Sequence, residues 1–180
     1  MKTMKAWLVL VLFMMCLGFT FAQQNTINGL SRPTNIDELL FAGEPDKAIT
    51  EFENFKKEQL KTGTDSYDLD RLELFFYQDL STRGGWMYPM SEEMKNSLGE
   101  KYIVLQQQFV KKFANRAQSY IIQCTNAKPE DVVKLTTKAI SLEPENEEAY
   151  MLRAGAYRML GKEDAAKADE EKAKTLRNQQ

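Results

Sequence analysis

The side chains that most often carry out catalysis are sparse in this chain, which has no histidine among its 180 residues. Without histidine, Ser–His and Cys–His nucleophiles, His-ligated zinc and the commonest general base are excluded. Carboxylate or lysine chemistry stays open, but no pair of these groups stands out by its spacing. We therefore expect a protein that is not an enzyme and that has no cofactor, no catalytic residues and no metal ligands.

Three acidic residues, Asp65, Asp68 and Asp70, have a spacing that could begin a calcium-binding loop. Such a loop also needs a central glycine and a distal glutamate, and this stretch lacks both. Asp65 or Ser66 fits better as the cap of a helix, because the positive end of a helix favours acidic side chains. The pattern predicts a solvated helix start.

Residues 82–90, TRGGWMYPM, form an irregular stretch that is rich in large apolar side chains. Gly84 and Gly85 free the backbone, whereas Trp86 and Tyr88 are too apolar for an ordinary solvated loop. The loop either folds back to fill the core or presents Trp86 and Tyr88 as an aromatic platform for a sugar or peptide. The core interpretation is favoured, and the ligand site is kept as the alternative.

The first 22 residues have the pattern of a secretory signal peptide. Lys2 and Lys5 precede an apolar run at residues 6–19, and Ala22 supplies a small residue before a polar turn. A retained membrane anchor is the alternative, although the run is shorter than the roughly 20 residues that a spanning helix needs. Lipid attachment at Cys16 is not expected, because Met15 stands where a lipobox has a small residue. The sequence thus predicts export to the periplasm or cell surface, with no membrane span after cleavage.

The chain from Gln23 onward has a slightly acidic balance and a single thiol. Without Lys2 and Lys5, which belong to the signal segment, 22 basic residues remain against 26 acidic ones. The net charge of the mature chain is therefore about −4. No cationic excess is available to neutralise phosphates, which argues against a nucleic-acid partner. Cys124 lies in an apolar setting and is expected to be a buried, inert thiol, with a reactive or intermolecular cysteine as the alternative.

Beyond a polar lead-in at residues 23–34, which we expect to be flexible, the chain has the periodicity of helices and no strand-like alternation. About seven helices are expected. Apolar or small residues recur every seven positions at Ile103, Val110, Ala117 and Cys124. This stripe favours one helix of about 25 residues, beyond a weak point at Gly99.

The last third of the chain has the most specific pattern. Asn146 can cap a helix that Gly161 ends, and a second helix follows within two residues. Two helices joined so closely pack antiparallel, and small side chains let their axes approach. The residues that carry this pattern are Tyr150, Ala154, Tyr157, Gly161, Ala166 and Ala173.

This order of residues resembles one tetratricopeptide repeat, a helix–turn–helix unit of about 34 residues. The clearest repeat covers residues 144–176, and a weaker one covers 36–60 through Leu40, Gly43, Ala48 and Phe52. Glu170 stands where the family has a bulky aromatic, which implies that no further repeat covers the last helix. The resemblance implies an all-α domain over residues 35–178, built as an irregular array of antiparallel helical hairpins.

The resemblance also implies a binding face on the first helix of the terminal repeat. The positions that would point there are Glu148, Met151, Gly155, Arg158 and Met159. The lysine and asparagine with which this family grips a terminal carboxylate are replaced by Met151 and Gly155. We therefore expect a small apolar groove that binds a protein or peptide partner in the cell envelope. The alternative is a small-molecule or glycan site at Trp86 and Tyr88.

Overall fold

The protein is all-α, as predicted, apart from one short hairpin in the part of the chain that the structure describes. The computed structural model describes residues 26–27 and 29–179, so the predicted signal segment lies outside the described residues. Strand β1 (Thr26–Ile27) pairs antiparallel with β2 (Leu30–Ser31). The helices that follow are α1 (Thr34–Phe41), α2 (Pro45–Lys61), α3 (Ser66–Arg83), α4 (Glu92–Lys112), α5 (Ala117–Gln123), α6 (Pro129–Leu142), α7 (Glu147–Met159) and α8 (Glu163–Arg177).

Eight helices are described where about seven were predicted, because the long helix expected through Cys124 is broken. Helix α4 ends at Lys112 and α5 begins at Ala117. The Ser119 hydroxyl donates to the Phe113 carbonyl at 2.7 Å, so a side chain takes the acceptor that a continuing helix would use. The prediction of one continuous helix is wrong, since the seven-residue stripe is not one buried face: Ile103 is 53% exposed.

The predicted weak point at Gly99 is also absent, and α4 passes through it without interruption. A methyl group at Gly99 would lie 3.9 Å from the Ser81 side chain of α3. Glycine lowers helix propensity by only about 1 kcal/mol, and tertiary packing overrides such a cost.

Three helices end in the same way, at Gly43, Gly63 and Gly161, whose φ angles are 75°, 86° and 70°. At Gly161 the amide donates to the Arg158 carbonyl and the next amide, Lys162, donates to Tyr157, which is the Schellman pattern. The predicted glycine ending of α7 is confirmed. So is its cap, since Asn146 Oδ1 accepts from the Ala149 amide at 3.0 Å.

The lead-in differs from the flexible segment predicted for residues 23–34. Among its described residues, Ile27 is buried in the core and Arg32 is only 4% exposed. The Arg32 side chain pairs with Asp37 of α1 and lies 3.6 Å from Asp79 of α3. These long-range contacts hold the hairpin against the helices, and no local sequence pattern predicts them.

The described chain divides into two compact units, an N-terminal one that ends at Leu105 and a C-terminal one that begins at Gln106, so the division lies inside α4. The described core of the N-terminal unit is built from large side chains of α1 to α4. Phe52 and Phe76 stack with ring centroids 4.3 Å apart, and Phe76 meets Tyr77 edge-on. Around them lie Ile27, Ile36, Leu40, Ala48, Leu72, Leu80, Tyr88 and Leu98.

The buried core of the C-terminal unit consists mostly of alanines, with Phe109, Ile121 and Leu176 as its larger members. Ala117 and Ile121 of α5, Ala139 of α6 and Ala149 of α7 form one buried cluster. Ala154, Ala166 and Ala173 are also fully buried. Each helix from α5 to α8 packs against the next one in the chain, so the described core of this unit runs along consecutive helices.

No helix among the described residues is long and apolar enough to cross a membrane.

Candidate functional site

The five residues predicted to form a binding face all lie exposed on α7, and we call them the α7 face: Glu148, Met151, Gly155, Arg158 and Met159. Met151 is 44% exposed and Met159 is 77% exposed. Large apolar side chains are exposed elsewhere in the described chain too, as at Phe41 and Ile103. Met151 and Met159 mark a candidate contact surface because both lie on the same face of α7, about two turns apart.

The α7 face points outward because the rest of the helix is committed to the core. Ala149, Ala154 and Ala156 are buried. Arg153 lies between these sides and donates twice to Asp169 of α8, from Nε at 2.7 Å and Nη2 at 2.8 Å. A bidentate ion pair and the packing of the alanines together fix the orientation of α7.

Arg153 also connects a third helix, since its Nη1 donates to the Thr137 hydroxyl of α6 at 3.1 Å. The hydrogen bond to Asp169 raises the pKa of Arg153 further above its ordinary value. Sequence reasoning missed this arginine, because its partners lie 16 residues away on either side and no local pattern pairs them.

Gly155 has no structural requirement within the unit. Its φ is not positive, and a methyl group there would meet no atom within 4 Å. A glycine inside a helix costs about 0.5–1 kcal/mol relative to alanine. Gly155 therefore lowers helix stability at an exposed position, where its bare backbone lies between Met151 and Met159.

Arg158 was expected to supply a lone positive charge in the groove, but it is paired within the chain. Its guanidinium contacts Glu170 of α8, the residue that replaces the aromatic of the repeat pattern. The Arg158 side chain is still 51% exposed. A partner would therefore meet a polarised arginine–glutamate pair.

The two candidate residues of the aromatic loop between α3 and α4 differ in their exposure to solvent. Trp86 is 66% exposed, whereas Tyr88 is completely buried. The Tyr88 ring packs edge-on against Phe41 at 5.4 Å, and Gly43 lies close to Pro89. Tyr88 fills the core, as the favoured interpretation had it. For Trp86 that interpretation is wrong, because most of its ring is exposed, and Trp86 therefore has the exposure that a ligand platform requires.

A buried polar network holds this loop in place. The Tyr88 hydroxyl donates to Asp79 Oδ2 at 2.7 Å, and Arg83 pairs with Asp79 Oδ1 at 2.8 Å. Burial, and then the charge of Asp79, raise the pKa of Tyr88 well above its ordinary value. Burial also raises the pKa of Asp37, although Arg32 beside it acts in the opposite direction.

Asp65 and Asp70, two of the three acidic residues considered for calcium, make contacts within the chain. Asp65 Oδ1 accepts from the Tyr67 amide at 2.9 Å, which confirms the predicted helix cap. Asp70 pairs with Lys56 at 3.0 Å. Cys124 is half-buried, and burial raises the pKa of its thiol to about 11. A thiol with that pKa is almost entirely protonated at neutral pH and is a poor nucleophile.

An open groove of about 700 Å³ lies along α1 and α2. Its lining residues, among them Glu38, Asp46 and Glu51, are all exposed except the half-buried Leu39. A ligand site usually buries most of its ligand and fixes it with a few held polar groups. We therefore keep the α7 face and Trp86 as the candidate sites.

No protein-family model, curated protein or solved structure matches this chain. The likeness to a tetratricopeptide repeat thus rests on its own residues and helix spacing.

Proposed function

We propose that this chain is a non-catalytic, exported helical-repeat protein that binds a protein or peptide partner in the cell envelope through the α7 face. The observation that carries the proposal is the outward placement of Met151 and Met159 on either side of Gly155. Methionine side chains adapt to varied partner surfaces, and the bare backbone between them admits close approach.

The repeat-like character of the C-terminal unit is supported by its helix spacing. The starts of α6 and α8, Pro129 and Glu163, are 34 residues apart, which is the length of one tetratricopeptide repeat. Ala139 and Ala173 have the same separation and are both fully buried. Packing of each helix on the next one is the arrangement expected of a solenoid, so we propose an irregular array of helical hairpins.

Affinity capture from an envelope extract tests the partner proposal. The bait is the chain from Gln23 to Gln180, compared with a Met151→Glu, Arg158→Glu variant. A matched control is Leu60→Glu, Lys61→Glu, which also removes an exposed apolar residue and an ion-paired cation, but on α2. We expect a specific protein that the bait and the matched control retain and the α7 variant loses. Equal capture by all three baits would contradict the proposal.

The second candidate function is recognition of a small molecule or glycan, and the exposure of Trp86 favours it. Stacking of a sugar or planar group on an indole needs an open ring face. Trp86 is the only tryptophan outside the signal segment, so its fluorescence reports on this loop. Titration with glycans should shift the emission if the loop binds them, and a Trp86→Phe variant provides the baseline.

Export is proposed from the signal-like segment. The mature protein is expected to begin at Gln23, which intact-mass measurement of secreted material would reveal. A protein that retains residues 1–22, or that carries a lipid on Cys16, would contradict cleavage and favour a membrane anchor.

A further inference from the structure

Four of the five residues of the α7 face are arranged so that they complement the same residues of a second copy. Along α7 they run from Glu148 in the first turn, through Met151 and Gly155, to Arg158 in the last turn. When two identical helices pack antiparallel about a two-fold axis, residue i of one faces residue j of the other and j faces i. The sum of the two residue numbers is then the same for every facing pair.

One axis position satisfies both the charges and the shapes of this face. The midpoint of Glu148 and Arg158 is position 153, and the midpoint of Met151 and Gly155 is the same position. A two-fold axis at that level therefore sets each glutamate opposite an arginine of the second copy. It also sets Met151 of each copy opposite the open backbone of Gly155 in the other, where no atom lies within 4 Å of an added methyl group. Met159 lies outside this match.

We propose that the partner of the α7 face is a second copy of this chain, bound through antiparallel pairing of the two α7 helices. The inference rests on the proposed function, since it uses the same face, and it names the partner. Charge pairs at both ends fix the antiparallel direction, because a parallel pair would set like charges together. Met151 of each copy fills the space over Gly155 of the other, which accounts for a glycine that neither φ nor crowding requires.

The ion pair between Arg158 and Glu170 does not oppose this arrangement. A guanidinium has five N–H donors, and Arg158 is half-exposed while it contacts Glu170. It can bridge Glu170 and Glu148 of the second copy. A single helix face buries less surface than a standard stable interface, so the association is weak and depends on concentration. Its ionic part weakens as salt increases.

Sedimentation velocity on the chain from Gln23 to Gln180, from micromolar to millimolar concentration, tests the pairing. We expect the mass to approach twice the monomer value as concentration rises. Glu148→Arg alone and Arg158→Glu alone should each weaken dimerisation at least tenfold, because each sets like charges together twice. An equimolar mixture of these two variants should form a heterodimer again. Glu170→Gln removes only the contact within the chain and should leave the dimer in place.

Gly155→Leu is the independent variant, and it is expected to abolish the dimer while α7 stays folded, since the added side chain points into open space. Circular dichroism melts of every variant verify folding. A wild-type chain that stays monomeric throughout overturns the inference, and so does a dimer that survives both Gly155→Leu and the charge reversals. The capture experiment distinguishes the two proposals. If the α7 face retains a different protein and the chain stays monomeric, the self-pairing is overturned while the proposed function stands; a chain that neither dimerises nor captures a protein through this face overturns both.

Discussion

The helical cores of the two units are built from side chains of different size. The N-terminal unit fills its interior with large rings, such as Phe52, Phe76 and Tyr88, each at most 1% exposed. The C-terminal unit uses alanines at its closest helix contacts, as at Ala154 and Ala166. Large side chains stabilise by the apolar area that they bury, whereas small ones allow close approach of the backbones. The first core should therefore be sensitive to truncation and the second to enlargement.

The units also use ionic groups differently. In the N-terminal unit Arg32 is nearly fully buried and joins α1 to α3 through Asp37 and Asp79. In the C-terminal unit the Arg153–Asp169 pair lies at the contact of two successive helices. Removing one partner of a buried pair leaves an uncompensated charge, so both pairs should be costly to break.

Truncation in the N-terminal unit should have the largest effect. Phe76→Ala removes a ring that stacks on Phe52 and lies 5.2 Å from the Arg32 guanidinium. We expect a loss of about 3–5 kcal/mol of unfolding free energy, measured by urea denaturation. Phe41→Ala, on a ring that is 52% exposed, should cost clearly less. Equal losses would mean that the aromatic core does not distinguish this unit.

Removal of the Tyr88 hydroxyl should cause the next largest loss of unfolding free energy. Tyr88→Phe keeps the ring but removes a hydrogen bond to the charged Asp79, and such bonds contribute about 1.5–3 kcal/mol. Because the folded pKa of Tyr88 lies above its ordinary value of 10.0, its contribution is complete below pH 10. It is lost as pH rises further, since the unfolded chain ionises first.

Urea denaturation at several pH values above 10 measures this linkage. Wild-type stability should fall with a slope that Tyr88→Phe reduces by up to about 1.4 kcal/mol per pH unit. The slope does not vanish, because burial also raises the pKa of Tyr77 in the same unit. An unchanged slope would show that Tyr88 titrates normally in the folded protein.

Enlargement should affect the C-terminal unit. Ala154→Leu places three extra carbons at a fully buried position where α7 packs on α8, and overpacking of this kind costs about 1–3 kcal/mol. Gly155→Ala is the matched control on the adjacent residue, and it should stabilise the helix slightly because its methyl group is unobstructed. If Ala154→Leu leaves the thermal midpoint unchanged, Ala154 is not at a close helix contact.

Local signals predicted much of this structure, and long-range contacts account for the misses. The Asn146 cap and the Gly161 ending of α7 depend on neighbouring residues, so the sequence was sufficient. The break after Lys112 depends on a Ser119 hydroxyl that reaches Phe113, and a seven-residue periodicity does not reveal it. Burial of Arg32 depends on partners from two helices. For the α7 face the sequence located the exposed positions but missed the pairing of Arg158 with Glu170.

The smallest change in stability is expected at Trp86 of the aromatic loop, a large ring of the N-terminal unit that does not belong to its core. Trp86 is a large ring in the N-terminal unit, yet it is 66% exposed, and its indole donates to the Thr82 carbonyl at 3.1 Å. Trp86→Ala should therefore change the unfolding free energy by no more than about 0.5 kcal/mol, in contrast to Phe76→Ala. Emission from Trp86 should be red-shifted and readily quenched by acrylamide, because most of the ring is in water. A blue-shifted, shielded emission together with a loss of several kcal/mol would place Trp86 in the core. It would leave the α7 face as the remaining candidate site, since the glycan hypothesis requires an open indole.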